Sequence, residues 1–149
     1  MRNPRVLILG GGFGGLNCAL PLSRYINDLP DFAQPRITVI DKNPHHTYKP
    51  SLYEAPALLD PPPQPASLFN DSLSGLLHSH NINVLMREVT DIDVTAQHIG
   101  LQDGSRIAYD YIVLALGSQV AFYGITGLAR HAYTLQTTDS ALQLRNEII

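Results

Sequence analysis

A mixed α/β fold, with a parallel sheet and a small antiparallel meander beside it, is predicted by three observations. Unbroken aliphatic runs at residues 6–9 and 111–116 have the composition of strands buried on both faces, as in a parallel sheet. A glycine cluster, Gly10-Gly11-Gly12-Phe13-Gly14-Gly15, separates the first run from a segment of helical spacing. Between residues 89 and 109 the period changes to two, with Ile92 and Val94 alternating with Asp91 and Asp93, then Ile99 with Leu101 and Ile107 with Tyr109.

The elements follow in order. Residues 5–9 form the first strand, and Leu16, Ala19, Leu20, Ser23 and Ile26 give the apolar face of a helix. Pro21 lies inside that helix, where a missing N–H predicts a bend or an early end. A polar, proline-bearing connection at 27–35 leads to a second strand at 36–40 that ends at Asp41, completing a βαβ unit. Residues 45–57 read as an irregular loop and the proline-rich run 60–65 as a spacer. Ser67 predicts the cap of a helix reaching about His80, with Leu68, Phe69, Leu73, Leu76 and Leu77 as its buried face. Residues 83–87 form a third strand. About three short antiparallel strands follow, with Asp103-Gly104 as a hairpin turn. Residues 111–116 return to the parallel sheet and stop at Gly117, and 138–149 begin a final helix.

Composition removes several function classes. A chain of 149 residues can bury a core of one domain's size. Its 13 acidic and 10 basic residues are scattered, so no electrostatic footprint for nucleic acid or an anionic membrane is present. Cys18 is the single cysteine, which rules out an internal disulfide or a Cys-x-x-Cys pair; its place on the first helix suggests a small packing residue. Arg2 and Arg5 before residues 6–22 have the outline of a secretory signal, but five glycines would weaken the apolar helix it needs. Apolar runs fall far short of the ~20 residues of a membrane helix, and the chain reads as soluble. The neighbours His45 and His46 point to opposite sides of an extended segment, so they are not expected to be metal ligands.

The glycine cluster carries the chemistry. In a G-x-G-x-x-G between strand and helix, Gly10 permits the tight turn, Gly12 lets a pyrophosphate approach the backbone, and Gly15 lets the helix pack on the strand. Asp41, at the end of the second strand, supplies a carboxylate for ribose hydroxyls and would repel a 2′-phosphate, disfavouring NADP at this site. These features leave NAD and FAD both open.

Four further stretches extend the reading. They are the opening Arg5-Val-Leu-Ile-Leu-Gly-Gly-Gly-Phe-Gly-Gly-Leu, then His46-Thr-Tyr-Lys-Pro-Ser-Leu-Tyr-Glu-Ala, then Tyr109-Asp-Tyr-Ile-Val-Leu-Ala-Leu-Gly-Ser, and Gly124-Ile-Thr-Gly-Leu-Ala-Arg-His-Ala-Tyr-Thr-Leu continuing into Ala141-Leu-Gln-Leu-Arg-Asn. With them the chain resembles the pyridine nucleotide-dependent flavoproteins, and more narrowly the type II NADH dehydrogenases, which pass electrons from NADH through FAD to quinone at a membrane surface. The resemblance implies a Rossmann-like FAD-binding fold, incomplete at its C-terminus, occupying 1–149 as the first part of a larger enzyme whose NADH domain and C-terminal part are absent. It implies FAD contacts from Gly10, Gly12, Phe13, Gly14, Gly15, Asp41 and Lys42, from the backbone of Val89, and from Ala115, Gly117 and Ser118. It places Pro50, within residues 48–53, along the flavin and towards a quinone; Ser51 departs from the aliphatic residue of the family pattern. NADH is the implied co-substrate, the implied location is cytoplasmic, at the membrane surface for the full enzyme, and the fragment alone is expected to be inactive. No side chain stands out as a general acid or base, since the flavin does the chemistry. Two alternatives stay open: a stand-alone dinucleotide-binding module without turnover, and a fragment similar to sulfide:quinone reductases.

Overall fold

A computed structural model describes residues 3–30, 34–57 and 69–149. The chain forms two compact units, one of Met1–His46 with Ser72–Gly117 and another of Thr47–Asp71 with Ser118–Ile149.

In the first unit, strand β1 (Arg5–Leu9) leads through the glycines into helix α1 (Phe13–Asn27), and β2 (Arg36–Asp41) follows. The chain leaves this unit within a short strand β3 (His45–Thr47) and re-enters it within β4 (Asn70–Ser72), and these two strands pair as a two-stranded ribbon. Helix α2 (Leu73–Leu77) runs on as a 3₁₀ turn, His78–His80, into β5 (Asn83–Met86). Then come β6 (Val89–Asp93), β7 (His98–Leu101), β8 (Arg106–Ala108) and β9 (Tyr111–Leu114). Four strands make one sheet in the order β5-β2-β1-β9, and every pairing in it is parallel. The antiparallel meander β6-β7-β8 is the crossover that carries the chain from β5 to β9.

Strand periodicity explains the layers. Val6 and Ile8 of β1 face one side and join Ile37 and Val39 of β2, Leu16, Ala19 and Ile26 of α1, and Leu73 and Leu77 of α2 in one core. Leu7 and Leu9 face the other side and meet Ile40, Ile99, Leu101 and Tyr109 beneath the meander. The sheet is thus buried on both faces, which accounts for the unalternating Val-Leu-Ile-Leu run. Each buried aliphatic side chain contributes about 1.5–3 kcal/mol. The half-exposed ion pair Lys42–Glu88, at 3.4 Å, is worth at most about 1 kcal/mol. Packing therefore dominates stability.

Local polar groups fix the ends. Arg5 N–H donates to Asp110 Oδ2 at 2.7 Å and Asp110 N–H returns a bond to the Arg5 carbonyl at 2.9 Å, tying the start of β1 to the start of β9. Asp103 closes the β7–β8 turn by accepting from Ser105 N–H (2.9 Å) and Ser105 Oγ (2.6 Å), and these bonds hold its carboxyl below the ordinary carboxylate value.

In the second unit, the 3₁₀ helix Lys49–Ala57, α3 (Leu128–His131) and α4 (Thr138–Ile148) are joined by irregular chain. Leu52, Ala55, Phe69 and Ala141 form its core. Thr137 begins α4 with a capping box, its hydroxyl accepting from Ser140 N–H at 3.1 Å while Ser140 Oγ accepts from Thr137 N–H at 3.1 Å.

Several expectations need correction. Helix α1 does not end early at Pro21 but runs to Asn27; Asn17, whose carbonyl loses its partner four residues on, lies on the solvent face with Pro21, where water can satisfy it. Residues 45–57 are not irregular but hold β3 and the 3₁₀ helix. The helix before β5 starts at Leu73 and is capped by Ser72, whose Oγ accepts from Gly75 N–H at 3.3 Å. Ser67, Leu68 and the run 60–65 lie outside the described residues. Phe69 belongs to the second unit's core and Leu76 is exposed, so the described members of that set do not share one face with Leu73 and Leu77. The third strand stops at Met86, and Val89 opens the meander instead of ending that strand. The last strand stops at Leu114, two residues sooner than the apolar run.

Candidate dinucleotide-binding site

The glycine cluster lies at the C-terminal end of β1, where the parallel strands deliver the chain. Gly10 adopts φ +105°, a conformation side chains avoid, and a Cβ there would sit 2.2 Å from the Ala115 carbonyl oxygen. Its N–H donates to the Ile40 carbonyl at 2.8 Å, so the turn is bound to β2 on one side and pressed against the chain leaving β9 on the other. A Cβ on Gly15 would fall 1.8 Å from the Gly10 carbonyl oxygen, which brings the first turn of α1 directly onto the end of β1.

Gly12 differs from both. Its φ of −77° and ψ of −167° suit any residue, and, its chain neighbours and the adjoining helix backbone aside, a Cβ would meet no atom of the described residues within 4 Å. Neither backbone conformation nor packing in this fold demands glycine there. Gly12 is also the N-cap of α1, with no side-chain cap and no acidic residue in the first turn, leaving the helix's positive end open to an anion. Phe13 and Gly14 continue that turn, and a Cβ on Gly14 would stand 3.4 Å from the Ala115 side chain.

Asp41 stands beside the loop. Its Oδ2 accepts from Gly11 N–H at 2.6 Å and its Oδ1 from Asn43 N–H at 2.8 Å. Each oxygen retains a lone pair, so the carboxylate can hold the loop and still accept from a diol. Lys42 is exposed and pairs with Glu88, and Arg87 N–H donates to the Asp41 carbonyl at 3.1 Å, drawing the β5–β6 connection to the end of β2. Val89 is half-buried over the meander core and pairs with Leu101. Ala115 N–H donates to the Leu9 carbonyl at 2.8 Å. Gly117 has φ +78°, a backbone reason for glycine that needs no ligand. Pro50 and Ser118, both exposed, belong to the second unit.

Two residues of the loop's setting were not anticipated. Gly11 is held on both flanks, its N–H by Asp41 and its carbonyl by His46 Nδ1 at 3.1 Å, and a Cβ would lie 2.5 Å from the buried Leu73 Cδ1. His46 is itself buried, with its ring edge-on to Phe13, centroids 4.8 Å apart. The only sequence signal for this was the opposed orientation of His45 and His46.

Residues 4–149 match the family described as Pyridine nucleotide-disulphide oxidoreductase. The chain belongs to this family. Among curated members, it is 35% identical to the type II NADH:quinone oxidoreductase NdhA of Mycobacterium tuberculosis, over 97% of this chain and 29% of that protein. Among solved structures, it is similar to the sulfide:quinone oxidoreductase of Aquifex aeolicus, with a TM-score of 0.83 at 26% identity over 97% of this chain and 31% of that one. It also shares its fold with NDH2 of Plasmodium falciparum, with a TM-score of 0.74 over 98% of this chain and 28% of that one, at 24% identity. The chain therefore spans about 30% of the length of these relatives. The expected Rossmann-like α/β architecture, with its parallel sheet and antiparallel meander, is the one found. Among the described residues no helix is long and apolar enough to cross a membrane, and no cluster of His, Cys, Asp and Glu is arranged for a metal ion.

Proposed function

We propose that this chain is the FAD-binding portion of an NADH:quinone-type oxidoreductase, with Gly10 to Gly15 receiving the pyrophosphate and Asp41 the adenosine ribose. The observation that carries the reading is the empty Cβ position of Gly12 at the uncapped start of α1, a space the fold itself does not require. When bound, FAD would supply the hydride acceptor for NADH and the electron source for a quinone. The chain's own residues bind and orient. Gly12 admits the phosphates, the first-turn amides of α1 neutralise their charge, and Asp41 fixes the ribose while holding Gly11. Ala115 lies against the loop, and Gly117 and Ser118 follow it in the chain towards the flavin, as the resemblance implies. Val89 and Lys42 are assigned to the adenosine end and Pro50 to the flavin end on the same ground. NADH and quinone as partners are supported by the similarity to NADH:quinone oxidoreductases, and peripheral contact of the full enzyme with a membrane surface is consistent with that reading.

The purified protein is expected to be yellow, and acid extraction should release FAD. Binding of NAD with no affinity for flavin would favour a dinucleotide-binding module instead. Similarity to the Aquifex sulfide:quinone oxidoreductase supports a second reading in which sulfide replaces NADH as donor. In the full-length enzyme, reduction of the bound flavin by NADH but not by sulfide separates the two. A preparation of these 149 residues alone should oxidise NADH far below ordinary enzyme rates of about 1–1,000 per second, because two dinucleotides must meet and the sequence has one glycine fingerprint.

Asp41→Ala is expected to weaken FAD binding by about 1–3 kcal/mol, through the loss of charged hydrogen bonds to ribose and to Gly11. Fluorescence titration measures it, and an unchanged dissociation constant would remove Asp41 from the site.

A further inference from the structure

The bond between His46 and Gly11 bears on the direction in which the phosphate loop points its donors. A carbonyl oxygen only accepts, so His46 Nδ1, 3.1 Å from the Gly11 oxygen, must carry the proton. The peptide joining Gly11 to Gly12 is planar and trans, so its C=O and N–H point in opposite directions. With the carbonyl turned inwards to a buried His46, the Gly12 N–H is turned to the opposite side of the loop. The neighbouring Cβ position of Gly12 has no atom of the described residues within 4 Å beyond its chain neighbours and the adjoining helix backbone, so among them this residue borders open space.

Glycine-rich loops are prone to peptide rotation, because two adjacent glycines carry no Cβ to resist it. Rotation of this peptide would replace a donor with a carbonyl oxygen, which repels phosphate. Three contacts oppose that rotation here: the His46 bond on the carbonyl, the Asp41 bond on the Gly11 N–H, and the Leu73 side chain against the Gly11 α-carbon. Phe13, edge-on to the imidazole at 82°, keeps the ring in place from the helix side.

We infer that His46 is a positioning residue for pyrophosphate recognition: by holding the Gly11 carbonyl, it fixes the Gly12 N–H as a donor towards the phosphates. This rests on the FAD reading above. It requires His46 to act on the phosphate-bearing part of the ligand and not on its adenosine.

The test compares FAD, ADP and adenosine as ligands of the wild-type protein, His46→Phe and His46→Asn. FAD is followed by fluorescence, and ADP and adenosine by NMR titration. His46→Phe should weaken FAD and ADP about tenfold and leave adenosine within about twofold, and His46→Asn, whose Nδ2–H donor takes the place of Nδ1–H, should recover most of the loss. Equal weakening of all three ligands, or none, overturns the inference. If the wild-type protein binds none of them, the FAD reading itself fails, a different result from wild-type binding that the substitutions leave unchanged. Both variants could misfold, so the wild-type imidazole is also read directly by its ¹⁵N shifts. An Nδ1–H tautomer is expected, and an Nε2–H tautomer with a bare Nδ1 overturns the proposal whatever the variants do.

Discussion

Gly12→Val should abolish FAD binding, with an affinity loss of at least about 100-fold, while the protein stays folded. The two halves of this expectation have separate physical grounds. Its chain neighbours and the adjoining helix backbone aside, a valine Cβ meets no atom of the described residues within 4 Å, and φ −77° with ψ −167° lies in the extended region that β-branched residues favour. As an N-cap, valine is poorer than glycine, at a cost of about 1 kcal/mol or less. Its methyl groups would occupy the space assigned to the pyrophosphate. Thermal unfolding should therefore shift little, and a flavin titration should show no saturation. Tight FAD binding by the folded variant would place the phosphates elsewhere.

Gly15→Ala should do the reverse and damage the fold itself, although the helical position favours alanine. Helix propensity alone would stabilise the variant by about 1 kcal/mol. Against it stands an overlap of a Cβ with the Gly10 carbonyl oxygen at 1.8 Å, between two stretches of backbone that cannot move like a side chain. Overpacking typically costs about 1–3 kcal/mol, and this backbone clash belongs at or above the top of that range. For a chain of this length, about 3 kcal/mol lowers the unfolding temperature on the order of 10 °C. A variant as stable as its parent would mean that α1 and β1 are further apart than described here.

The contrast between Gly12 and Gly15 marks what sequence could and could not convey. Spacing alone located both glycines, since the motif lies between an unbroken aliphatic strand and a helical pattern, and the four-stranded sheet followed from runs such as Val-Leu-Ile-Leu. The meander was legible because one of its faces is buried and period two survives. Residues 69–77 were not legible. Apolar spacing says that Phe69, Leu73 and Leu77 are buried but not in which core, and Phe69 turns out to be in a different unit from the other two. In the candidate site, Asp41 was found by its place at a strand end. Its second task of holding Gly11, and the seating of His46 against the same residue, depend on contacts between residues 30 and 35 positions apart that no local pattern encodes.

The position of β1 within the sheet sets an order of events during synthesis. Its neighbour β2 leaves the ribosome soon after it, but Tyr111 to Leu114 of β9, its other neighbour, are made about a hundred residues later. At about 5–20 residues per second, the β9-facing edge of β1 waits roughly 5–20 seconds for its partner. During that interval the strand leaves the backbone groups of Arg5, Leu7 and Leu9 unpaired on that edge, and its meander-side face is also bare because Ile99, Leu101 and Tyr109 are still unmade. The nascent chain should therefore be a client for ribosome-associated chaperones until Asp110 closes on Arg5.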